Sequence, residues 1–341
     1  MSELTIVIGS FLEEDQVKRI EGQSAARVIY EPDLLPVPRY PGDHTGKPRE
    51  LSAAGLERWR SLGATADVFV DFDWHEPATM PDRCPRLRWI QATSAGIGGF
   101  MQRTGLDASG LTVTTAAGIH AVPLSEFAVM GALHFVKGVP QLQERQRASH
   151  WERYTTRQLA GLRTLVVGLG GIGRKVAQSF AALGVEVWGL GRDGRSYEVP
   201  GVSRVISRAD LDDALPQIDV LVLACPLTAE TEGMIGAAQI GLLKPDAVVV
   251  NIARGPVIDQ AALIAALRDG RLAGACLDVF AVEPLPPDDP LWGLDNVIVS
   301  PHSASTVVTE NAALVDLFLD NLDRFTAGLP LANLYVPARG Y

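Results

Sequence analysis

Short apolar runs alternate with polar, helix-periodic stretches along most of the chain. In the first third the runs are Thr5–Ile8, Arg27–Tyr30, Val68–Asp71, Arg88–Ala92 and Leu111–Thr114. Each has the length of a strand. Between two of them, Ser52–Leu62 carries Leu56, Trp59 and Leu62 on one side at helical spacing, which predicts a helix. Pro32, Pro36, Pro38, Pro41 and Pro48 punctuate a long loop over residues 32–49. Strand–helix alternation of this kind predicts a parallel sheet covered on both faces.

Ser125–Arg147 reads as one long helix opened by Ser125 and Glu126. Phe127, Met130, Leu133, His134 and Leu142 form its apolar stripe, and Gly138 and Pro140 predict a kink. On this reading it is the first crossing between two domains. A second alternating array follows, with strands at Thr164–Gly168, Val185–Leu190, Asp219–Ala224, Ala247–Ile252, Gly274–Val279 and Asn296–Ser300. Its helices are Ile172–Leu183, Ala237–Leu243 and Gln260–Arg268, the last closed by Gly270. Continuous aliphatic runs such as Val248–Val250 suit strands buried on both faces. The tail, Ser305–Ala327, is helical again, so the chain crosses back. The expected class is α/β, with two doubly wound parallel-sheet domains. One is discontinuous, 1–117 with 304–341, and the other spans 118–303. A length of 341 residues agrees with about two domains.

Composition narrows the function. Hydrophobic residues make up 47% and charged residues 21%, so a sizeable core is available. The formal net charge of -10 argues against a nucleic-acid partner, whose backbone demands clustered Lys and Arg. Any anionic cofactor or substrate must then be attracted by local cations. Cys84, Cys225 and Cys276 show no paired spacing, as expected of inert thiols in a reducing compartment. Leu4–Gly9 followed by Glu13, Glu14 and Asp15 reads as an opening strand, not a basic leader. No apolar run approaches the ~18 residues of a membrane span. A cytoplasmic location is expected, with no membrane partner.

Gly168-Leu169-Gly170-Gly171-Ile172-Gly173 is a Gly-x-Gly-x-x-Gly loop between an apolar strand and an amphipathic helix. In that context the first glycine permits a tight turn, the second lets backbone approach a pyrophosphate, and the third lets helix pack on strand. The helix N-terminus adds free N–H groups and partial positive charge. An acid about 20 positions on would bond the ribose 2′-hydroxyl of NAD. The count from Gly173 lands on Gly191, with Arg192 next and Arg195 nearby. Without the acid, and with guanidinium groups at hand, a 2′-phosphate is favoured. The expected cofactor is NADP(H) in preference to NAD(H).

Three residues downstream carry reaction chemistry. Arg254 follows the Val248–Ile252 run, Glu283 follows Cys276–Val279 by a short loop, and His302 lies just past Val297–Val299. Each therefore stands at the carboxyl end of a strand, where ligands of open α/β sheets gather. An arginine can clamp a carboxylate in two parallel hydrogen bonds. A histidine can pass a proton to and from a keto oxygen. A glutamate can orient that histidine and hold it charged. His44, His75, His120, His134 and His150 show no ligand-like spacing, so no metal site is expected.

With these motifs in place, the chain resembles the D-isomer-specific 2-hydroxyacid dehydrogenase family, most strongly from about Leu162 to Ala304. The matching segments are Gly168–Gly173, Cys225–Thr231, Leu243–Pro245, Asn251–Gly255, Asp278–Pro284 and Ser300–Ala304. The resemblance implies a flavodoxin-like substrate domain, a Rossmann cofactor domain, hinge closure and a homodimer. It places the family's catalytic Arg, Glu and His on Arg254, Glu283 and His302. It places a nicotinamide-carboxamide partner on Asp278 and further cofactor contacts on Ile172, Cys225, Pro226, Thr231 and Ala253. Its substrate-carboxylate loop looks like Ser94-Ala95-Gly96-Ile97, with backbone N–H groups forming an anion nest. The Gly191-Arg192 pair is similar to that of NADPH-using glyoxylate and hydroxypyruvate reductases. The expected function is interconversion of small 2-keto acids and D-2-hydroxy acids. The alternatives are a dehydrogenase for longer side chains and a nucleotide-sensing, corepressor-like binding protein. Trp74 and His75 are candidate pocket walls, and Trp151 a candidate for a dimer interface.

Overall fold

The computed structural model describes residues 4–192, 194 and 197–339. They fall into two compact units, Met1–His120 with Thr306–Tyr341, and Ala121–Ser305.

The first unit is built on five parallel strands, β1 (Thr5–Ile8), β2 (Arg27–Ile29), β3 (Val68–Val70), β4 (Trp89–Gln91) and β5 (Thr112–Thr114). Their order, β2-β1-β3-β4-β5, is the flavodoxin-like one. β1 and β3 are buried throughout, as aliphatic runs covered on both faces must be. The helix Ala53–Gly63 starts where Ser52 Oγ accepts the Gly55 N–H at 3.1 Å, a side-chain N-cap. The tail helix, Glu310–Thr326, buries Leu314, Val315, Phe318 and Leu322, and Phe318 stacks on Trp89 at 5.3 Å between centroids. Each such side chain contributes roughly 1.5–3 kcal/mol on transfer from water. Together they fasten the tail to the first unit, which is therefore discontinuous in sequence. The helix begins at Glu310, later than the apolar periodicity from Ser305 predicts.

The second unit holds seven parallel strands, β6 (Arg163–Val167), β7 (Glu186–Leu190), β8 (Val202–Ile206), β9 (Val220–Leu223), β10 (Val248–Asn251), β11 (Gly274–Leu277) and β12 (Val297–Val299). Their order is β12-β11-β10-β9-β6-β7-β8. β8 has no counterpart in the periodicity. It is an edge strand whose Ser203, Arg204 and Val205 are exposed, so it needs no apolar run. The predicted single helix Ser125–Arg147 is instead two, Ala121–Val136 and Val139–Arg147, bent by 59°. The reason is Gly138, which takes the left-handed conformation at φ 64° and interrupts the backbone ladder. Ser125 lies inside the first of these helices, its Oγ donating to the Val122 carbonyl at 2.8 Å. Among the described residues no single helix is long and apolar enough to cross a membrane.

Candidate active site

The register of the second sheet lines up the chemistry. Leu190, Val167, Leu223, Asn251, Leu277 and Val299 pair one to the next, forming a single row across β7, β6, β9, β10, β11 and β12. The candidate cofactor-binding and catalytic residues of this unit all come after members of that row. Arg192 comes after Leu190, Gly168 after Val167, and Cys225 after Leu223. Arg254 comes after Asn251, Asp278 and Glu283 after Leu277, and His302 after Val299. Five strand spacings of about 4.8 Å make this carboxyl edge roughly 24 Å long. An extended dinucleotide and a small substrate fit end to end along such an edge.

The glycine loop fits a pyrophosphate. Gly168 has φ 99°, a turn that an L side chain resists. A Cβ on Gly173 would lie 1.7 Å from the Gly168 carbonyl oxygen, so only glycine lets the helix Gly171–Ala182 close on β6. A Cβ on Gly170 or Gly171 would meet nothing within 4 Å. Packing within the protein does not impose glycine at these two positions, whereas close approach of a phosphate does. Ile172 enters the first turn of that helix, and its side chain packs against the core. Beyond β9, the Thr231 hydroxyl donates to the Pro226 carbonyl at 2.7 Å and accepts the Thr228 N–H at 2.8 Å, closing the loop that starts at Cys225. Burial raises the Cys225 thiol to about 11, which leaves it uncharged at neutral pH. At the far end, Arg192 is exposed beside Gly191, while Arg195 lies outside the described residues.

The candidate reacting groups are held by neighbours that periodicity does not reveal. Asn251 is fully buried at the end of β10. Its Oδ1 accepts the Ala253 N–H at 3.0 Å and its Nδ2 donates to the Arg254 carbonyl at 3.2 Å, fastening the turn from both sides. The Arg254 side chain is exposed and donates from Nη1 to the Ala253 carbonyl at 2.7 Å. Next to it, a Cβ on Gly255 would lie 1.9 Å from the backbone of Phe280, so the loops after β10 and β11 touch through bare backbone. Phe280 N–H donates to Glu283 Oε1 at 3.0 Å. Glu283 Oε2 accepts from His302 Nδ1 at 2.8 Å. A carboxylate only accepts, so Nδ1 carries the proton of this bond, and Nε2 takes no part in it.

His302 itself sits at φ 55°, an uncommon conformation for a residue with a Cβ. Asp278 imposes it. Its Oδ1 accepts Ser300 Oγ at 2.6 Å and the N–H groups of Ser303 and Ala304 at 2.9 Å each. Asp278 is buried, and burial pushes its carboxyl above the ordinary range, a tendency these three donors oppose. The roles of Asn251 and Asp278 as anchors had one sequence signal: an Asn or Asp at a strand end, ready to bond backbone two or three residues on. Glu283 and His302 are thus brought into direct contact. Arg254 is tied to them through Gly255 and Phe280. Among the described residues no hydrogen bond joins Arg254 to either. Gly255→Ala is expected to drive the two loops apart, at about 1–3 kcal/mol of stability. A falling melting temperature together with a lower kcat is the expected result, whereas an unchanged kcat would show that the loops need not touch.

In the first unit, Ser94–Ile97 leaves the carboxyl end of β4. Among the described turn and loop hydrogen bonds none uses the N–H of Ala95, Gly96 or Ile97. The Ile97 side chain is buried, so this residue offers only backbone outward. Trp74 donates from Nε1 to Asp71 at 2.8 Å, and its ring packs on Phe100 at 5.3 Å. His75 Nε2 bonds the Leu34 carbonyl at 2.8 Å and its ring meets Trp59 edge-on, which makes it a packing residue of that unit. Trp151 is 96% exposed.

Comparison with known proteins agrees with this architecture. Residues 129–304 match the model for the D-isomer specific 2-hydroxyacid dehydrogenase, NAD binding domain. A glyoxylate/hydroxypyruvate reductase A of Salmonella newport is 32% identical over 301 residues, covering 86% of this chain and 94% of that one. Two solved structures are similar over nearly their whole length. A D-isomer specific 2-hydroxyacid dehydrogenase of Xanthobacter autotrophicus, in complex with NADPH and MES, has TM-score 0.77 and 29% identity over 100% of both chains. A family protein of Aeromonas salmonicida has TM-score 0.78 and 27% identity over 98% of this chain and 99% of its own. With a cofactor cradle, a histidine–glutamate pair and an arginine on one sheet edge, and a family model matching about half of its length, the chain belongs to the D-isomer specific 2-hydroxyacid dehydrogenases, oxidoreductases that act on a CH–OH group with NAD(P).

Proposed function

We propose that this chain reduces small 2-keto acids of the glyoxylate and hydroxypyruvate type to D-2-hydroxy acids, with NADPH preferred over NADH. The observation that carries this reading is the His302–Glu283 bond, standing on the same sheet edge as the glycine cradle. Gly168, Gly170, Gly171, Ile172 and Gly173 would hold the pyrophosphate, with Cys225, Pro226, Thr231 and Ala253 lining the path toward the nicotinamide. All described side-chain hydrogen bonds of Asp278 converge on Oδ1, which leaves Oδ2 to accept from the carboxamide. The bound reduced nicotinamide supplies the hydride that goes to the keto carbon.

The remaining work falls to side chains. Arg254 clamps the substrate carboxylate and reaches the keto oxygen. His302 gives its Nε2 proton to that oxygen, and takes it back in the reverse direction. Glu283 fixes the ring through Nδ1. The cofactor preference rests on Gly191 in place of an acid and Arg192 beside it, and NADPH in the Xanthobacter relative supports it. The short substrates rest on the reductase name of the Salmonella relative. A panel of glyoxylate, hydroxypyruvate, 2-ketoisocaproate and phenylpyruvate, each with NADPH and NADH, tests both. The expected result is the highest kcat/KM for the two short acids with NADPH, and D-glycerate from hydroxypyruvate. A preference for NADH ends the cofactor reading, and no turnover with any acid returns the sensor alternative.

We further propose that the enzyme is a homodimer. The helix Ala121–Val136 and its neighbour Gly171–Ala182 leave an apolar groove of about 720 Å³, lined by Val129, Met130, Leu133 and Leu183 among others. Met130 and Leu183 are over two-fifths exposed, a loss of hydrophobic energy that a second copy would recover. Met130→Asp is expected to yield a monomer by light scattering. An unchanged mass would place any dimer contact elsewhere.

A further inference from the structure

Gly191 faces an aromatic ring, that of Tyr197, which the NADPH preference does not yet invoke. A Cβ built on Gly191 would lie 2.2, 2.6 and 2.8 Å from Cε2, Cδ2 and Cζ of Tyr197. These distances are far inside van der Waals contact. The backbone does not demand glycine here, because Gly191 is not among the glycines of positive φ. The tyrosine ring demands it. That ring is half-buried against the core that includes Leu169, Val187 and Val199. Its hydroxyl accepts the Arg192 N–H at 2.9 Å. Position 191 directly follows β7, where a dinucleotide fold places the acid that bonds the ribose hydroxyls.

We propose that Tyr197 is a specificity-determining residue for the cofactor. Its ring fills the space of the acidic side chain that would select NAD. Its hydroxyl fixes the backbone of Arg192, so that the guanidinium is presented to a 2′-phosphate monoester. The assignment deepens the NADPH reading and rests on it.

The test is a set of variants, Y197A, Y197F, G191D, G191D/Y197A and G191D/Y197F, in the full-length enzyme. Kd for NADPH and for NADH is measured by cofactor fluorescence, kcat/KM for each with hydroxypyruvate, and thermal denaturation as a check on folding. Y197A is expected to weaken NADPH about tenfold, the scale of one charge-assisted contact, with little change in NADH. G191D alone is expected to lose NADPH without gaining NADH, because ring and carboxylate compete for one space. G191D/Y197A is expected to bind NADH about tenfold tighter than G191D, whereas G191D/Y197F, which keeps the ring, stays like G191D. A merely structural tyrosine would lower stability and both affinities together, and would leave the NADPH/NADH ratio unmoved.

Equal NADH affinity in G191D and G191D/Y197A overturns the assignment, as does a wild-type cofactor ratio in Y197A. A wild-type enzyme that favours NADH overturns the underlying preference as well. A wild-type preference for NADPH with additive variants overturns the role of Tyr197 alone.

Discussion

His302→Ala is expected to lower kcat by about 10²- to 10⁴-fold, the range that general acid–base catalysis contributes. The affinity for NADPH should change little, because His302 follows β12 while the glycine cradle follows β6, four strands away in the sheet. The loss is large because no described neighbour can replace Nε2. Glu283 is the ring's partner through Nδ1, and Asp278 binds the loop backbone and not the ring. Steady-state kinetics beside a fluorescence titration with NADPH separates the two effects. A kcat within a few-fold of wild type would remove His302 from proton transfer. Loss of NADPH binding in parallel would point to collapse of the 300–304 loop instead.

Arg254→Ala is expected to cost about 10²- to 10⁴-fold in kcat/KM. Hydrogen bonds to charged groups are worth about 1.5–3 kcal/mol each, and a forked guanidinium makes two. The split between the constants identifies what the arginine touches. Binding the carboxylate alone raises KM with kcat preserved, whereas contact with the keto oxygen lowers kcat too. Both changes are expected. Arg254→Lys restores charge without the fork and should recover only part of the loss. A KM within threefold of wild type in the alanine variant, roughly 0.6 kcal/mol, would place the substrate carboxylate elsewhere. Asn251 supports the same turn through both ends of its amide, so the arginine's position is set by a residue already buried in the sheet.

Much of this was legible in the chain. β1 and the helix Gln260–Arg268 have the bounds that the apolar pattern predicts, because a continuous aliphatic run and a closing glycine are local signals. The placement of Arg254, Glu283 and His302 on one edge followed from counting strands, since parallel strands all end on the same side. What was not legible depends on contacts between distant segments. β8 is an exposed edge with no apolar stripe, so periodicity passes over it. The kink expected at Gly138 and Pro140 was legible, but not that a left-handed Gly138 would divide the helix in two. Gly255 reads as an ordinary loop glycine until Phe280 is found against it. Tyr197 reads as a loop aromatic until its ring is found where a side chain of residue 191 would go.

In the proposed mechanism one guanidinium and one imidazole meet a bound keto acid beside the nicotinamide. A crystal structure of the ternary complex with NADP+ and oxamate, an unreactive 2-keto acid mimic, tests it most directly. The expected result is oxamate with its carboxylate on Arg254 and its amide oxygen about 2.8–3.0 Å from His302 Nε2, with Nδ1 still on Glu283. Oxamate bound away from both residues, or seated with His302 turned from it, would contradict the account.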